Sequence, residues 1–228
     1  MGKSYLIRIL RIWVGGDGLT LVELVIVMVV SGIMALTAPS LLFHGVKTMV
    51  FLPKALLVNH AATEIMHQII EGGFSTLAGQ TTVRGVRFAV RRSATEPALW
   101  LATDDCVGFR ASSGQDVVIW WDQTANQEAI RRVVVTAGCP FTCSTAGGEF
   151  LPYDAQGRVR VVRIAPATPI FRYYNQSDTL LSAPGCSVSG IITIRRAELA
   201  FVAQTGNGNF DEGQAKEQVT SSVAIRVP

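Results

Sequence analysis

The stretch GLTLVELVIVMVVSGIMALTAP, residues 18–39, decides how the rest of the chain is read. Between Gly18 and Pro39 it is apolar apart from Thr20, Glu23, Ser31 and Thr37, with small breaks in bulk. An apolar helix of about 20 residues rises roughly 30 Å, the thickness of the hydrocarbon core of a bilayer. Glu23 is the one charged side chain in the run. A carboxylate in hydrocarbon is costly enough to be read as functional, and a cation is expected as its partner. None lies within the run. A cut after Gly18 would supply one, because Leu19 would then carry a free α-ammonium one helical turn from Glu23, on the same chain or on a neighbour.

Gly18-Leu19-Thr20-Leu21-Val22-Glu23-Leu24, followed by a β-branched apolar run and Pro39, resembles the class III signal of type IV pilins and type II secretion pseudopilins. That resemblance implies cleavage after Gly18 by a membrane aspartyl peptidase, which also methylates the new N-terminus at Leu19. It further implies that Glu23 guides subunit packing in a helical filament and that Pro39 kinks the helix. It extends over residues 1 to about 72, and within it Leu19 stands where Phe or Met is more usual. Asp17 stands where a basic or neutral residue is common. An ordinary signal peptide fits less well, since its best small-residue site, after Ala38, is followed by Pro39.

The 228 residues allow one domain of ordinary size besides the membrane helix. The formal charge of +3 owes much to Lys3, Arg8 and Arg11 ahead of the apolar run. That is the positive-inside arrangement, which puts the N-terminus in the cytoplasm and the body in the periplasm or outside the cell. So small a surplus gives no reason to expect nucleic acid as a partner. All four cysteines (Cys106, Cys139, Cys143 and Cys186) fall in the exported part, where an even count points to two disulfides. Of three possible connectivities, the short Cys139–Cys143 spacing favours that pair together with Cys106–Cys186. Zinc is not expected, because His44, His60 and His67 all lie in the N-terminal helix region.

In chain order, residues 1–18 form a leader, residues 19–72 a helix whose membrane part ends at about residue 39, and residues 73–228 a β-rich body. Past Pro53 the helix becomes amphipathic, with Val58, Ala62, Ile65 and Ile69 on one face and Leu57, Ala61 and Met66 flanking it. Gly72-Gly73 ends it. Strands are expected over 83–90, 99–103, 117–121, 130–136, 159–164, 170–174, 191–201 and 222–227, separated by Gly, Pro, Asn and Asp. The fold class is α+β, a long helix covering a mainly antiparallel sheet, in keeping with a pilin-like architecture.

Candidates for chemistry are few. Asn207, Asn209, Asp211 and Glu212 place oxygens at near-alternate positions, as a calcium loop does, but the EF-hand spacing is not met and a polar hairpin explains them equally. Asp104 and Asp105 are adjacent on an extended segment and so point apart. No histidine follows His67, and no nucleophile elbow or phosphate loop is present. The pairs Arg91-Arg92, Arg131-Arg132 and Arg195-Arg196 are interspersed with acids and read as solvated or salt-bridged strand residues. Trp120-Trp121 and Tyr173-Tyr174 are each expected to give one ring to the core and one to a surface or subunit contact. The expectation is therefore a minor pilin or pseudopilin: a structural subunit without catalysis or cofactor. Its partners are other pilin or pseudopilin subunits, the prepilin peptidase and methyltransferase, and the membrane, with no small-molecule substrate. The rival is a signal-anchored extracytoplasmic β domain that binds a ligand and does not polymerise.

Overall fold

The computed structural model describes residues 20–75, 81–91, 93, 96–111, 114–123, 128–135, 143, 147–151, 159–205 and 215–225. They fall into two compact units that divide between Met49 and Val50. In the first unit the described chain is helix alone, the opening part of α1 (Leu21–Ile70), and every side chain in it is exposed. Its hydroxyls return their protons to the helix: Thr37 Oγ1 donates to the Ile33 carbonyl at 3.0 Å and Thr48 Oγ1 to the His44 carbonyl at 2.8 Å. Polar groups satisfied in this way cost little in lipid. Pro39 and Pro53 lie within α1, each removing one amide donor from its ladder.

In the second unit the end of α1 buries Val58, Ala61, Ala62, Ile65, Met66 and Ile69, the face that the spacing predicts. Gly72 follows with a φ of +95°, and a Cβ there would run into the Val83 carbonyl, so only glycine lets the chain turn at this point. Beyond it β1 (Gly72–Ser75) pairs antiparallel with β2 (Thr81–Arg84). The strand expected over 83–90 is shorter than predicted, because residues Val86–Phe88 form a 3-10 turn that buries Val86. That turn leads towards a five-stranded antiparallel meander: β3 (Leu99–Ala102), β4 (Cys106–Arg110), β5 (Asp116–Asp122), β6 (Ala129–Val135) and β7 (Glu149–Leu151).

A second antiparallel sheet runs β10 (Leu180–Leu181), β9 (Phe171–Tyr174), β11 (Arg196–Thr205), β12 (Lys216–Ala224), and β8 (Val159–Val162) shares the β9 side of β11. The strand expected from residue 191 begins at Arg196, since Val188–Ile191 is a single helical turn, α2. The last strand begins at Lys216 rather than residue 222; its first half is too polar to read as a strand from sequence. One core joins both sheets to the helix, with Ile65 and Ile69 packed in the same cluster as Phe109, Ile119, Phe171 and Phe201. Burying side chains of this size is worth about 2 kcal/mol each.

The two sheets are tied where β3 turns into β4. Tyr173 Oη donates to the Thr103 and Cys106 carbonyls at 3.0 and 3.1 Å, and the Phe171 amide donates to the Asp104 carbonyl at 2.9 Å. Nearby, Trp121 Nε1 donates to the Val161 carbonyl at 2.8 Å. Burial, and then the carboxylates of Asp104 and Asp105, push the Tyr173 phenol well above the ordinary tyrosine range.

Trp120 and Trp121 are both buried, on opposite faces of β5, so neither is the surface ring expected. Trp121 belongs to the main core; Trp120 packs on the outer face of the meander with Trp100, Leu101, Cys106 and Val118. That second cluster corrects the disulfide pairing. Cys106 bonds to Cys143, their Cα atoms 6.2 Å apart, instead of Cys106 to Cys186 and Cys139 to Cys143. The reason is the sheet register: Cys106 stands opposite Trp120, and Cys143 packs onto the same face. Cys186 is also disulfide-bonded and packs against this cluster; Cys139 lies outside the described residues.

Two outcomes follow from these contacts. Replacing Cys106 and Cys143 together with Ala removes a cross-link spanning 37 residues, which in the chain-entropy relation costs about 4 kcal/mol; urea unfolding checks it, and a non-reducing digest shows the 106–143 fragment pair in the parent. Tyr173→Phe loses two buried hydrogen bonds and costs on the order of 1 kcal/mol at neutral pH. Because the folded state holds the Tyr173 proton more tightly than the unfolded one, the parent loses stability as pH rises past about 10. In Tyr173→Phe the decline over that alkaline window is shallower, as melting temperatures of both proteins will show.

Candidate functional site

The start of α1 is built by four residues, Thr20 to Glu23. Thr20 precedes the helix, and its carbonyl accepts the Leu24 amide at 3.1 Å, the first bond of the helical ladder. Glu23 Oε2 accepts from the Thr20 amide and from Thr20 Oγ1, both at 2.9 Å. In return the Glu23 amide donates to Thr20 Oγ1 at 3.3 Å. This is a reciprocal capping box, in which side chains satisfy donors that the first turn leaves unpaired. The carboxylate also sits at the positive end of the helix dipole.

The cation expected beside Glu23 is thus not its partner within the described chain: its bonds go to the amide and hydroxyl of Thr20. The signal was present as Thr20-x-x-Glu23, a Thr and a Glu at capping spacing ahead of an apolar run. Only Oε2 is engaged; among the described residues Oε1 has no partner. The capping box therefore leaves half of the carboxylate available to a donor outside the chain. Gly18 and Leu19, at which cleavage and methylation are expected, lie outside the described residues. Behind the box, α1 is long and apolar enough to cross a membrane, and none of its most apolar window is buried.

The remaining candidates prove to be parts of the scaffold. Asp105 Oδ2 pairs with Arg163 and accepts a long bond from Gln123 Nε2 at 3.4 Å, while the Arg163 guanidinium lies 4.8 Å from the Trp121 ring centre. With the Asp104 carbonyl occupied by the Phe171 amide, this turn joins the sheets and presents no convergent carboxylate pair. Arg131 and Arg132 face opposite ways. Arg131 pairs with Asp122 at 2.6 Å and stacks on Phe150, whereas buried Arg132 reaches Glu149 Oε1 at 2.8 Å and the Phe74 carbonyl at 3.0 Å. Arg196 lies over Tyr174 between Asp178 and Glu198, and Arg195 caps the Ile192 carbonyl at 2.7 Å. Tyr174 is half-buried and Tyr173 fully so. The calcium-loop candidates Asn207, Asn209, Asp211 and Glu212, and Arg92 of the first arginine pair, lie outside the described residues. Among the described residues no three His, Cys, Asp or Glu side chains gather as a metal site.

The family profile described as the prokaryotic N-terminal methylation motif matches residues 17–39, the stretch that contains the capping box and the first half of the apolar helix. No curated protein and no solved structure matches the chain. The motif starts one residue before Gly18 and ends at Pro39, which are the bounds read from the residues themselves. Over this N-terminal segment the chain is a type IV pilin-like prepilin, held in a membrane by a single apolar helix.

Proposed function

We propose that this chain is a minor pilin or pseudopilin, a structural subunit of a type IV pilus or type II secretion pseudopilus. Residues 1–18 are its leader, removed by a prepilin peptidase that cuts after Gly18 and methylates Leu19. Residues 19–72 are the assembly helix, bending at Pro39, and residues 73–228 the body that lies in the periplasm or outside the cell. The basic leader (Lys3, Arg8, Arg11) supports a cytoplasmic N-terminus. The Cys106–Cys143 bridge supports an oxidising compartment for the body. No catalysis and no cofactor enter this reading.

The observation that carries it is the half-engaged carboxylate of Glu23 in an otherwise uncharged apolar stretch. In the bilayer, Thr20 keeps Glu23 tied to its own helix. On assembly, the ammonium of Leu19 from a neighbouring subunit reaches the open Oε1, and the low dielectric strengthens that contact. Once the pair forms, pulling one helix away strands a charge, which favours the docked register. The body then makes the lateral and tip contacts.

Two variants test this in cells that express the whole system. Gly18→Ala keeps the leader, so the product runs at precursor mass; a normal mature mass contradicts the cleavage site. Glu23→Ala is cut and methylated as usual but is depleted from sheared filaments. Incorporation equal to the parent removes the assembly role and leaves a membrane-tethered β domain.

A further inference from the structure

The free edge of β12 is open and self-complementary. Two bonds frame its pairing with β11: the Thr205 amide to the Ala215 carbonyl at 3.2 Å, and the Ile225 amide to the Arg195 carbonyl at 2.8 Å. Between them the register runs unbroken from Arg196 opposite Ala224 to Gln204 opposite Lys216. In an antiparallel ladder only alternate residues turn both backbone groups to a given neighbour. Since Ala215 and Ile225 bond to β11, so do the odd-numbered residues between them. Gln218, Thr220, Ser222 and Ala224 therefore turn their N–H and C=O groups outward, and those groups have no partner among the described residues.

Long edges of this kind are normally blunted by charge, proline or a bulge. Here the charges stop at Glu217, and Gln218 to Ala224 contain no proline and no register break. The other edges are better protected. β10 has two residues and β7 three, and Ala102 on β3 exchanges both backbone bonds with Gly185. On the core side of the β12 edge lies an apolar crevice lined by Ile69, Ile70, Val86, Ser221 and Val223. Val219 and Val223 are only half-buried there, as expected of a strand lacking a neighbour.

We propose that this edge pairs antiparallel with the β12 edge of a second copy of the chain, centred on Ser221. The sequence Val219-Thr220-Ser221-Ser222-Val223 reads nearly the same in both directions. In that register Thr220 and Ser222 of the second copy exchange backbone bonds, as do Gln218 and Ala224, so each outward-facing residue meets one of the same kind. On the core side Val219 stands against Val223 of the second copy, a β-branched cross-strand pair that closes the crevice. On the solvent side hydroxyl meets hydroxyl. A strand pair this short buries far less than a standard interface of about 1,600 Å², so it is weak between dilute molecules. Anchoring both copies in one membrane raises their effective concentration and makes it count.

The test uses the full-length chain in membranes. Ser221 is its own partner at a non-hydrogen-bonded position, where the strands approach most closely. Ser221→Cys is therefore expected to give a disulfide-linked homodimer on mild oxidation. Adding Thr220→Pro abolishes that dimer, since it removes an outward N–H and leaves the β11 ladder whole; an intact Cys106–Cys143 bridge verifies the fold. A second route avoids proline. Thr220→Lys with Ser222→Lys sets like charges opposite each other and loses the dimer, and co-expression with a Thr220→Glu, Ser222→Glu copy restores it. No homodimer with Ser221→Cys, a homodimer that survives both blocks, or cross-linking only to a different protein each overturns the proposal. The dimer is expected in the uncleaved Gly18→Ala background as well, so its outcome is independent of the maturation reading.

Discussion

A carboxylate in an apolar helix has to find hydrogen-bond donors, and in this chain the first ones come from the residue that caps the helix. Thr20 donates twice to Glu23 Oε2 and accepts the Glu23 amide in return. The same three bonds start the helix and keep the acid from being stranded in lipid. They also settle which oxygen is left over. A capping box uses one carboxylate oxygen for its internal bonds, so Oε1 stays open towards the N-terminal side, where cleavage after Gly18 creates a new amine. Local helix chemistry and intermolecular recognition thus share a single side chain without competing for the same atom.

The second unit solves a different problem, that of closing a β body around one helix face. The helix supplies Val58, Ile65 and Ile69, and both sheets supply large side chains to the same core. The sheets are also stitched by backbone and side-chain bonds at the β3–β4 turn, where Tyr173 and Phe171 reach across. On the outer face of the meander Trp120 is covered by the region of Cys143 and Gly148, where a Cβ on Gly148 would collide with its ring. The disulfide locks that cover in place. A buried ion pair from Arg132 to Glu149, with a further bond to the Phe74 carbonyl, holds the β1–β2 hairpin to the meander. Its removal from one side would leave a buried charge uncompensated, which is why such pairs specify geometry more than they stabilise it.

Much of this was legible before any coordinates. The amphipathic spacing after Pro53 marks the buried helix face, and the strands around Val117, Ile130 and Phe171 stand where β-branched and aromatic runs place them. The misreadings have physical causes. The strand Cys106–Arg110 was hidden by Gly108, which is glycine because a Cβ would meet the Trp100 ring at 2.9 Å. β12 was read too short because Lys216 to Thr220 are mostly polar, which an edge strand tolerates and a central one does not. Disulfide connectivity depends on sheet register, and the nearness of Cys139 to Cys143 in sequence carries no information about it. The capping box was visible as Thr20-x-x-Glu23, but the search for a cation to pair with Glu23 passed over the neutral donors three residues away.

The account rests on a free amine appearing next to Glu23. Mass spectrometry of the N-terminal peptide from membranes of the native producer measures that directly. The account predicts a peptide that begins at Leu19 and carries one added methyl group on its α-nitrogen. A peptide that still begins at Met1, or one that begins after Ala38, contradicts it.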